Sequence, residues 1–282
     1  MKALDLDHLQ SWIDKRQVDE DTLTDFPVAA LAAILDHPQP PRCGDPMPPL
    51  WHWLYFKPIA RSSAIDTDGH PVRGGFLPPI PLASRMWAGG RLKFLSALQI
   101  GEHVSRETKI RSITAKRGRR GPLVFLCMVH RISGPQGLAI EEEQNVVYRE
   151  TASAAISPSP ATDRRTPDWR EEITPDEVML FRYSALTFNA HRIHYDRPYA
   201  EQVEGYPGLL VQGPLTATLL LDRFMSAVRR APLEFEFRAA SPVIAGEPIA
   251  LCGKAAADTG SFDLWAETPD RRIAMTACVR FK

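Results

Sequence analysis

Apolar and polar positions change their spacing several times along the 282-residue chain, and each change marks an element. Leu6, Leu9 and Ile13 share one face of a helix, and Asp25-Phe26-Pro27 opens a second helix predicted to reach about Asp36, so the first fifty residues read as a helical preface. Beyond residue 90 the pattern turns to stretches rich in β-branched and aromatic residues. Strands are predicted at 91–95, 103–114, 123–132 and 138–148, punctuated by Gly118 to Gly121 and by Ser133-Gly134-Pro135. A second β block follows, with strands predicted at 233–238, 248–256, 262–267 and 273–281. Gly101-Glu102-His103-Val104 in the first block matches Gly246-Glu247-Pro248-Ile249 in the second, and further strands follow both in the same order, which points to an internal duplication.

The two halves differ in what precedes their strands. Thr174-Pro175-Asp176-Glu177 offers an N-cap, a proline at N1 and a capping-box Glu for a helix to about Ser184. Gly213-Pro214 then opens a helix through Met225 that is apolar over most of its surface and therefore belongs inside other structure. The equivalent stretch of the first half, 71–90, holds four prolines and four glycines and cannot form a long helix. Proline is concentrated in 37–49, 76–81 and 157–167; residues 151–168 are the predicted linker between units 1–150 and 169–282.

Charge narrows the function. Lys plus Arg and Asp plus Glu are both 34, so the basic excess of a nucleic-acid binder is missing. Apolar residues at 44% and charged residues at 24% are those of a globular protein. The four cysteines, Cys43, Cys127, Cys252 and Cys278, lie far apart with no CxxC pair, so neither a zinc site nor a redox motif is expected. The amino terminus has no apolar run of signal-peptide type, and the apolar stretch at 28–35, eight residues long, is too short to span a bilayer. A cytoplasmic protein without membrane partners is expected.

Polar, ionisable residues are densest in Thr187-Phe188-Asn189-Ala190-His191-Arg192-Ile193-His194-Tyr195-Asp196, which holds two of the eight histidines. It falls between the capped helix and the apolar helix, where rigid neighbours can hold a loop in place. Histidine is the natural acid–base group near neutral pH. Gly205 to Pro214 then leads free backbone amides into the start of the apolar helix, a place suited to a developing oxyanion. Both features also admit a plainer reading, a polar connection and a Gly/Pro turn.

These residues carry a resemblance. His194-Tyr195-Asp196 with Ala200, followed by Val211-Gln212-Gly213-Pro214-Leu215-Thr216, resembles the hydratase motif of MaoC-like, hot-dog enzymes. The longer run from Phe181 through Asp196, with Gly74-Gly75-Phe76-Leu77-Pro78-Pro79 and Arg85-Met86-Trp87-Ala88-Gly89-Gly90, resembles the hydroxyacyl-thioester dehydratase type 2 branch. That branch includes fungal mitochondrial dehydratases and bacterial mesaconyl-/itaconyl-CoA hydratases, and the likeness covers roughly residues 50–282. It implies an α+β double hot-dog: two antiparallel sheets, a complete central helix in the second half and a degenerate one in the first.

The implied reaction is reversible hydration of an α,β-enoyl thioester carried on CoA or acyl carrier protein, with no further cofactor and no metal. His194 is the expected acid–base group, Asn189 stands where the wider family has Asp and would orient water, and the Gly213 amide would hold the thioester oxygen. His191 is either a second proton carrier or an orienting group. Arg85, Trp87, Arg192 and Gln212 are the expected substrate contacts, with Arg85 or Arg192 meeting a second carboxylate if the acyl group has one. The leading substrate is a mesaconyl- or itaconyl-type CoA. A fatty-acid 3-hydroxyacyl dehydratase, a silent thioester binder and a thioesterase are the alternatives, and the assembly is either a lone chain or a homodimer. The basic run Lys116 to Arg120 is either a CoA phosphate contact or a solvated hairpin tip, and Trp51 to Phe56 either a core anchor or part of the acyl pocket.

Overall fold

The strand-forming segments join into one antiparallel sheet rather than two separate ones. The computed structural model describes residues 4–118, 121–150 and 165–282. In chain order the elements are α1 (Leu6–Gln10), β1 (Arg16–Thr22), α2 (Asp25–Ile34), β2 (Ser84–Phe94), β3 (His103–Gly118), β4 (Gly121–Gly134) and β5 (Gly137–Arg149) in the first half. The second half holds β6 (Trp169–Ile173), α3 (Glu177–Thr187), α4 (Gly213–Val228), β7 (Pro232–Ala239), β8 (Ile249–Ala255), β9 (Ser261–Glu267) and β10 (Ile273–Phe281). The sheet order is β1-β3-β4-β5-β2-β7-β10-β9-β8-β6. Read inward from either edge the connectivity is the same, so β1 answers to β6, β3 to β8, β4 to β9, β5 to β10 and β2 to β7.

Hydrogen bonding repeats the correspondence. The amide of Gly101 donates to the carbonyl of Leu23, just past β1, and the amide of Gly246 donates to Pro175, just past β6. The matching GEHV and GEPI motifs thus make the same turn in both halves. α2 and α3 follow β1 and β6 and pack against one another. Among the described residues α4 has no counterpart: its Leu215 to Leu221 are all buried, enclosed by β2 and β7 to β10. The architecture is a double hot-dog of α+β class with one central helix.

The halves join where β2 pairs with β7, from Gly89 opposite Arg238 to Lys93 opposite Glu234. A Cβ on Gly89 would stand 2.4 Å from the Phe237 carbonyl oxygen, and one on Gly90 would stand 2.7 Å from the Glu143 carbonyl oxygen and 3.1 Å from the Phe237 ring. Glycine is what lets the two strands and that ring close together. One large core crosses this seam from Leu31 and Trp51 to Phe224 and Phe235; a smaller one, including Leu9, Ile80 and Tyr148, lies under the outer end of the first half.

Several sequence expectations are corrected. The amino-terminal preface is not wholly helical: α1 ends at Gln10, and β1 follows as an edge strand paired with β3. β2 starts at Ser84 rather than 91, which puts Arg85 and Trp87 in a strand. β6 was not foreseen. α3 is capped by Asp176, whose side chain accepts from the Met179 amide at 2.8 Å, in place of Thr174, and runs on to Thr187. Trp51 to Phe56 is a core anchor: Trp51, Leu54, Tyr55 and Phe56 are buried, and the pair His52 Nε2 to Glu142 Oε2 is buried at 3.0 Å. The proposed linker lies outside the described residues up to 164, as do Arg119 and Arg120 of the basic run. Gly89→Val is expected to destabilise the fold by about 1–3 kcal/mol through overpacking at the seam, read as a lower urea midpoint.

Candidate active site

The connection between α3 and α4 carries the polar cluster. Phe188 ends α3 in the left-handed region at φ +52°, which turns Asn189 toward the space between the halves. Asn189 Oδ1 accepts the His191 amide at 3.1 Å, so this side chain shapes the loop by an Asx turn and keeps its Nδ2 unpaired among the described residues. The chain then makes a 3-10 turn at Arg192–His194 and a π-helical turn at Tyr199–Val203. His194 is buried, with Nδ1 2.8 Å from the Leu210 carbonyl oxygen. A carbonyl only accepts, so Nδ1 carries the hydrogen and Nε2 keeps the lone pair. Burial pushes the His194 pKa down to about 4; the Leu210 bond works the other way and His70 adds to the fall.

A cavity of about 600 Å³ opens between the halves. Asn189, His191, His194 and Gly213 line it from the second half. Met128, Val146 and Tyr148 wall it from the first, on the sheet face that a second central helix would cover, joined by Leu77 from the turns before β2. Gly213 is the first residue of α4, where a helix has no internal acceptor for its N–H; no side chain caps it, and Pro214 brings no N–H of its own. The helix dipole adds positive potential there. Gln212 also lines the cavity, but its Nε2 donates to the Leu180 carbonyl at 3.0 Å and to Ser184 Oγ at 2.9 Å, binding the start of α4 to α3.

The expected substrate contacts divide. Arg85 and Trp87 line the cavity. Arg85 has no hydrogen-bond or ion-pair partner among the described residues. Trp87 packs on Trp53 and Phe237 with ring centroids 4.9 and 6.0 Å away, and donates from Nε1 to the Gly89 carbonyl. Arg192 stands outside the lining, bonded to Asp196 Oδ2 at 2.7 and 3.0 Å and stacked 4.2 Å over Tyr199. Its guanidinium is spent before a substrate arrives.

Sequence reasoning missed Asp68 and His70. His70 lines the cavity from the first half, its Nδ1 3.0 Å from Asp68 Oδ2 and its ring centroid 4.2 Å from that of His191. The only signal was an Asp-Thr-Asp-Gly-His turn lying about 120 residues before the loop it meets. Arg149, Glu204 and Tyr206 were missed as well; Arg149 donates to the Tyr206 hydroxyl at 2.8 Å, and Ser84 donates to the buried Glu204 at 2.7 Å. Donor atoms of Asp68, His70 and His191 come within 4.8 Å of one another, but His70 Nδ1 is already committed to Asp68, and the His70 and His191 rings meet at a tilt of 42°, so the three form a chain of contacts rather than a ready cation site.

With this geometry in hand, the likenesses to other proteins take on meaning. Residues 50–245 match the family described as hydroxyacyl-thioester dehydratase type 2. The chain is 45% identical to a mesaconyl-C(4)-CoA hydratase of Chloroflexus aurantiacus over 274 residues, 95% of this chain and 96% of that one. It is 28% identical to the mitochondrial hydroxyacyl-thioester dehydratase type 2 of Schizosaccharomyces pombe, across 88% of this chain and 91% of that one. Among solved structures, HtdX of Mycobacterium tuberculosis superposes with a TM-score of 0.68 at 21% identity, over 95% of this chain and all of that one. A second mycobacterial protein, described as a double hotdog fold, gives 0.55 at 16% identity over 95% of this chain and 96% of that one.

The double hot-dog fold and the matches to hydratases and dehydratases place the chain among the thioester hydro-lyases. The chain belongs to the hydroxyacyl-thioester dehydratase type 2 family, and its reaction is the reversible hydration and dehydration of an α,β-enoyl thioester.

The buried histidine makes the fold sensitive to acid. Between pH 6.5 and 4 the unfolded chain binds a proton at residue 194 that the folded chain excludes, so stability falls as pH falls through that window. His194 alone should cost about 2 kcal/mol at pH 5 relative to neutral pH. Urea unfolding at pH 7 and pH 5 should show the drop, and His194→Gln should reduce it.

Proposed function

We propose that this enzyme hydrates a short dicarboxylyl-CoA of the mesaconyl or itaconyl type. The observation that carries the reading is Arg85, a guanidinium in the cavity wall with no carboxylate of its own. An unpaired cation in a partly closed site is costly unless an anion completes it, and a guanidinium fork suits a carboxylate. Arg149, bonded to the neutral Tyr206 hydroxyl, adds positive charge to the same wall. The 45% identity to a mesaconyl-C(4)-CoA hydratase supports the same choice. The free cysteines support a reducing compartment, which we take to be the cytoplasm.

In this reading the acyl thioester lies with its carbonyl oxygen at the Gly213 N–H and its free carboxylate at Arg85. His194 Nε2 takes a proton from water as the water oxygen bonds to Cβ, and Asn189 Nδ2 orients that water. The electron pair of the double bond moves toward the thioester oxygen, where the α4 amide end stabilises the enolate. A proton reaching Cα completes the addition. No metal or redox group enters these steps.

Purified protein should consume mesaconyl-CoA or itaconyl-CoA faster than crotonyl-CoA, with products heavier by one water. Turnover confined to crotonyl or longer chains would give the fatty-acid dehydratase reading instead, and a crotonyl carrier-protein substrate would separate the two carriers. Arg85→Met should lower kcat/KM on the dicarboxylyl substrate roughly 10- to 100-fold, the range of a charge-assisted bond, and leave crotonyl-CoA nearly unaffected. His194→Gln should lower kcat on every substrate roughly 10²- to 10⁴-fold with KM little changed, measured from loss of enoyl-thioester absorbance.

A further inference from the structure

The first half reaches into the site with a hairpin that the described reaction has not yet used. In residues 64–72 the Asp66 amide donates to the His70 carbonyl at 2.7 Å, Gly69 to Asp66 at 2.9 Å and Val72 to Ala64 at 2.9 Å. The tip presses on the loop of the other half: at Gly69, φ +92°, a Cβ would stand 1.8 Å from the Ala190 carbonyl oxygen. Arg192 fastens the contact, its amide donating to the Asp68 carbonyl at 2.9 Å and its guanidinium to the Thr67 carbonyl at 3.0 Å. Held in this way, Asp68 accepts the His70 amide on Oδ1 at 2.8 Å and the His70 ring on Oδ2 at 3.0 Å. The ring centroids of His70 and His191 are 4.2 Å apart and those of His191 and His194 5.5 Å, so three imidazoles run in a row along the cavity.

We propose that Asp68 and His70 form the second acid–base unit of the reaction, with His70 exchanging the proton at Cα while His194 serves the water oxygen at Cβ. The assignment rests on the hydratase reading above and supplies the proton that reading left without a donor. Adding water across a double bond needs transfers at two adjacent carbons, and Asn189 can neither take nor give a proton. Of the remaining histidines, His191 is worst placed to carry charge: burial and two neighbouring imidazoles hold it far below its ordinary pKa. Of the three histidines that line the cavity, His70 is the one whose ring is bonded to a carboxylate among the described residues. Burial opposes ionisation of Asp68, yet the ring and amide bonds from His70 outweigh it and hold the carboxyl below its usual range. Burial likewise lowers His70, Asp68 raises it, and the cations Arg85 and Arg73 press it down again. His70 is thus a weakly held proton site with a fixed anion at Nδ1 and Nε2 left to act.

The protons balance. In hydration one water O–H bond breaks as its oxygen bonds to Cβ, and that proton goes to His194 Nε2. The double-bond pair moves onto the thioester oxygen; as the enolate collapses, the Nε2–H bond of the His70 imidazolium breaks and its proton bonds to Cα. His194 is left charged and His70 neutral, and exchange with water in the cavity returns each ring to its starting state. Dehydration is the reverse, with His70 as the base.

The test compares His70→Gln and Asp68→Asn with wild type on whichever enoyl-CoA wild type hydrates fastest, with circular dichroism and thermal melts as fold controls. His70→Gln should lower kcat roughly 10²- to 10⁴-fold with KM little changed. Asp68→Asn should lower kcat by less and move the alkaline limb of the hydration pH profile to lower pH, because losing the carboxylate weakens the hold of His70 on its proton. A merely structural Asp68 would not move that limb. If His70→Gln does not fold, the Asp68→Asn profile decides alone. Full kcat in folded His70→Gln, or an unmoved limb in Asp68→Asn, overturns the assignment and leaves the hydratase reading intact; a wild type inert on every enoyl-CoA overturns both. Activity lost on dialysis against EDTA and restored by Zn²⁺ would make Asp68, His70 and His191 ligands and overturn the acid–base role.

Discussion

Burial of α4 is the constraint on which the site depends. Leu215 to Leu221 are covered by the sheet around them, while Gly213 at the start of the helix stays half-buried at the cavity. The first N–H groups of the helix need an acceptor, and no side chain provides one at Gln212. The fold therefore carries an unsatisfied positive end at the mouth of its cavity, beside the His194 imidazole. In the proposed mechanism that acceptor is the thioester oxygen, which gains charge during reaction.

The second constraint is the missing partner of α4. With no central helix on the first-half sheet among the described residues, the face at Met128, Val146 and Tyr148 becomes the wall of the cavity. In the corresponding place the chain runs as the turns of 64–82, whose hairpin tip reaches Ala190 and Arg192 of the other half. Gly69 permits the contact and Arg192 holds it. The two halves therefore bring different groups to the cavity: Gly213 and His194 from the second, His70 and Arg85 from the first.

Sequence and structure agree where a physical pattern is strong. The apolar run after Gly213 could only be an inside helix, and GEHV and GEPI proved to be one turn used twice. β1 escaped because Arg-Gln-Val-Asp-Glu-Asp-Thr is an edge strand with no apolar face, its Val18 63% exposed. The start of β2 escaped because Gly89 and Gly90 look like a turn, whereas the seam needs them for close approach. In the site, His194, His191, Asn189 and Gly213 stood together in one stretch of sequence and converge in space. Arg192, chosen for its charge, is neutralised four residues on by Asp196, a pairing that spacing alone could have suggested. Asp68 and His70 lay beyond reach, since nothing local says that a turn at 66–70 will lie against residues 189–192.

A crystal structure with a non-reacting thioether analogue of a dicarboxylyl-CoA tests the central claim most directly. The account predicts the carbonyl oxygen at the Gly213 amide, the free carboxylate at Arg85, and Cβ and Cα facing His194 and His70 in turn. An acyl group seated away from the start of α4, or one that leaves His70 without contact to the two carbons, would contradict it.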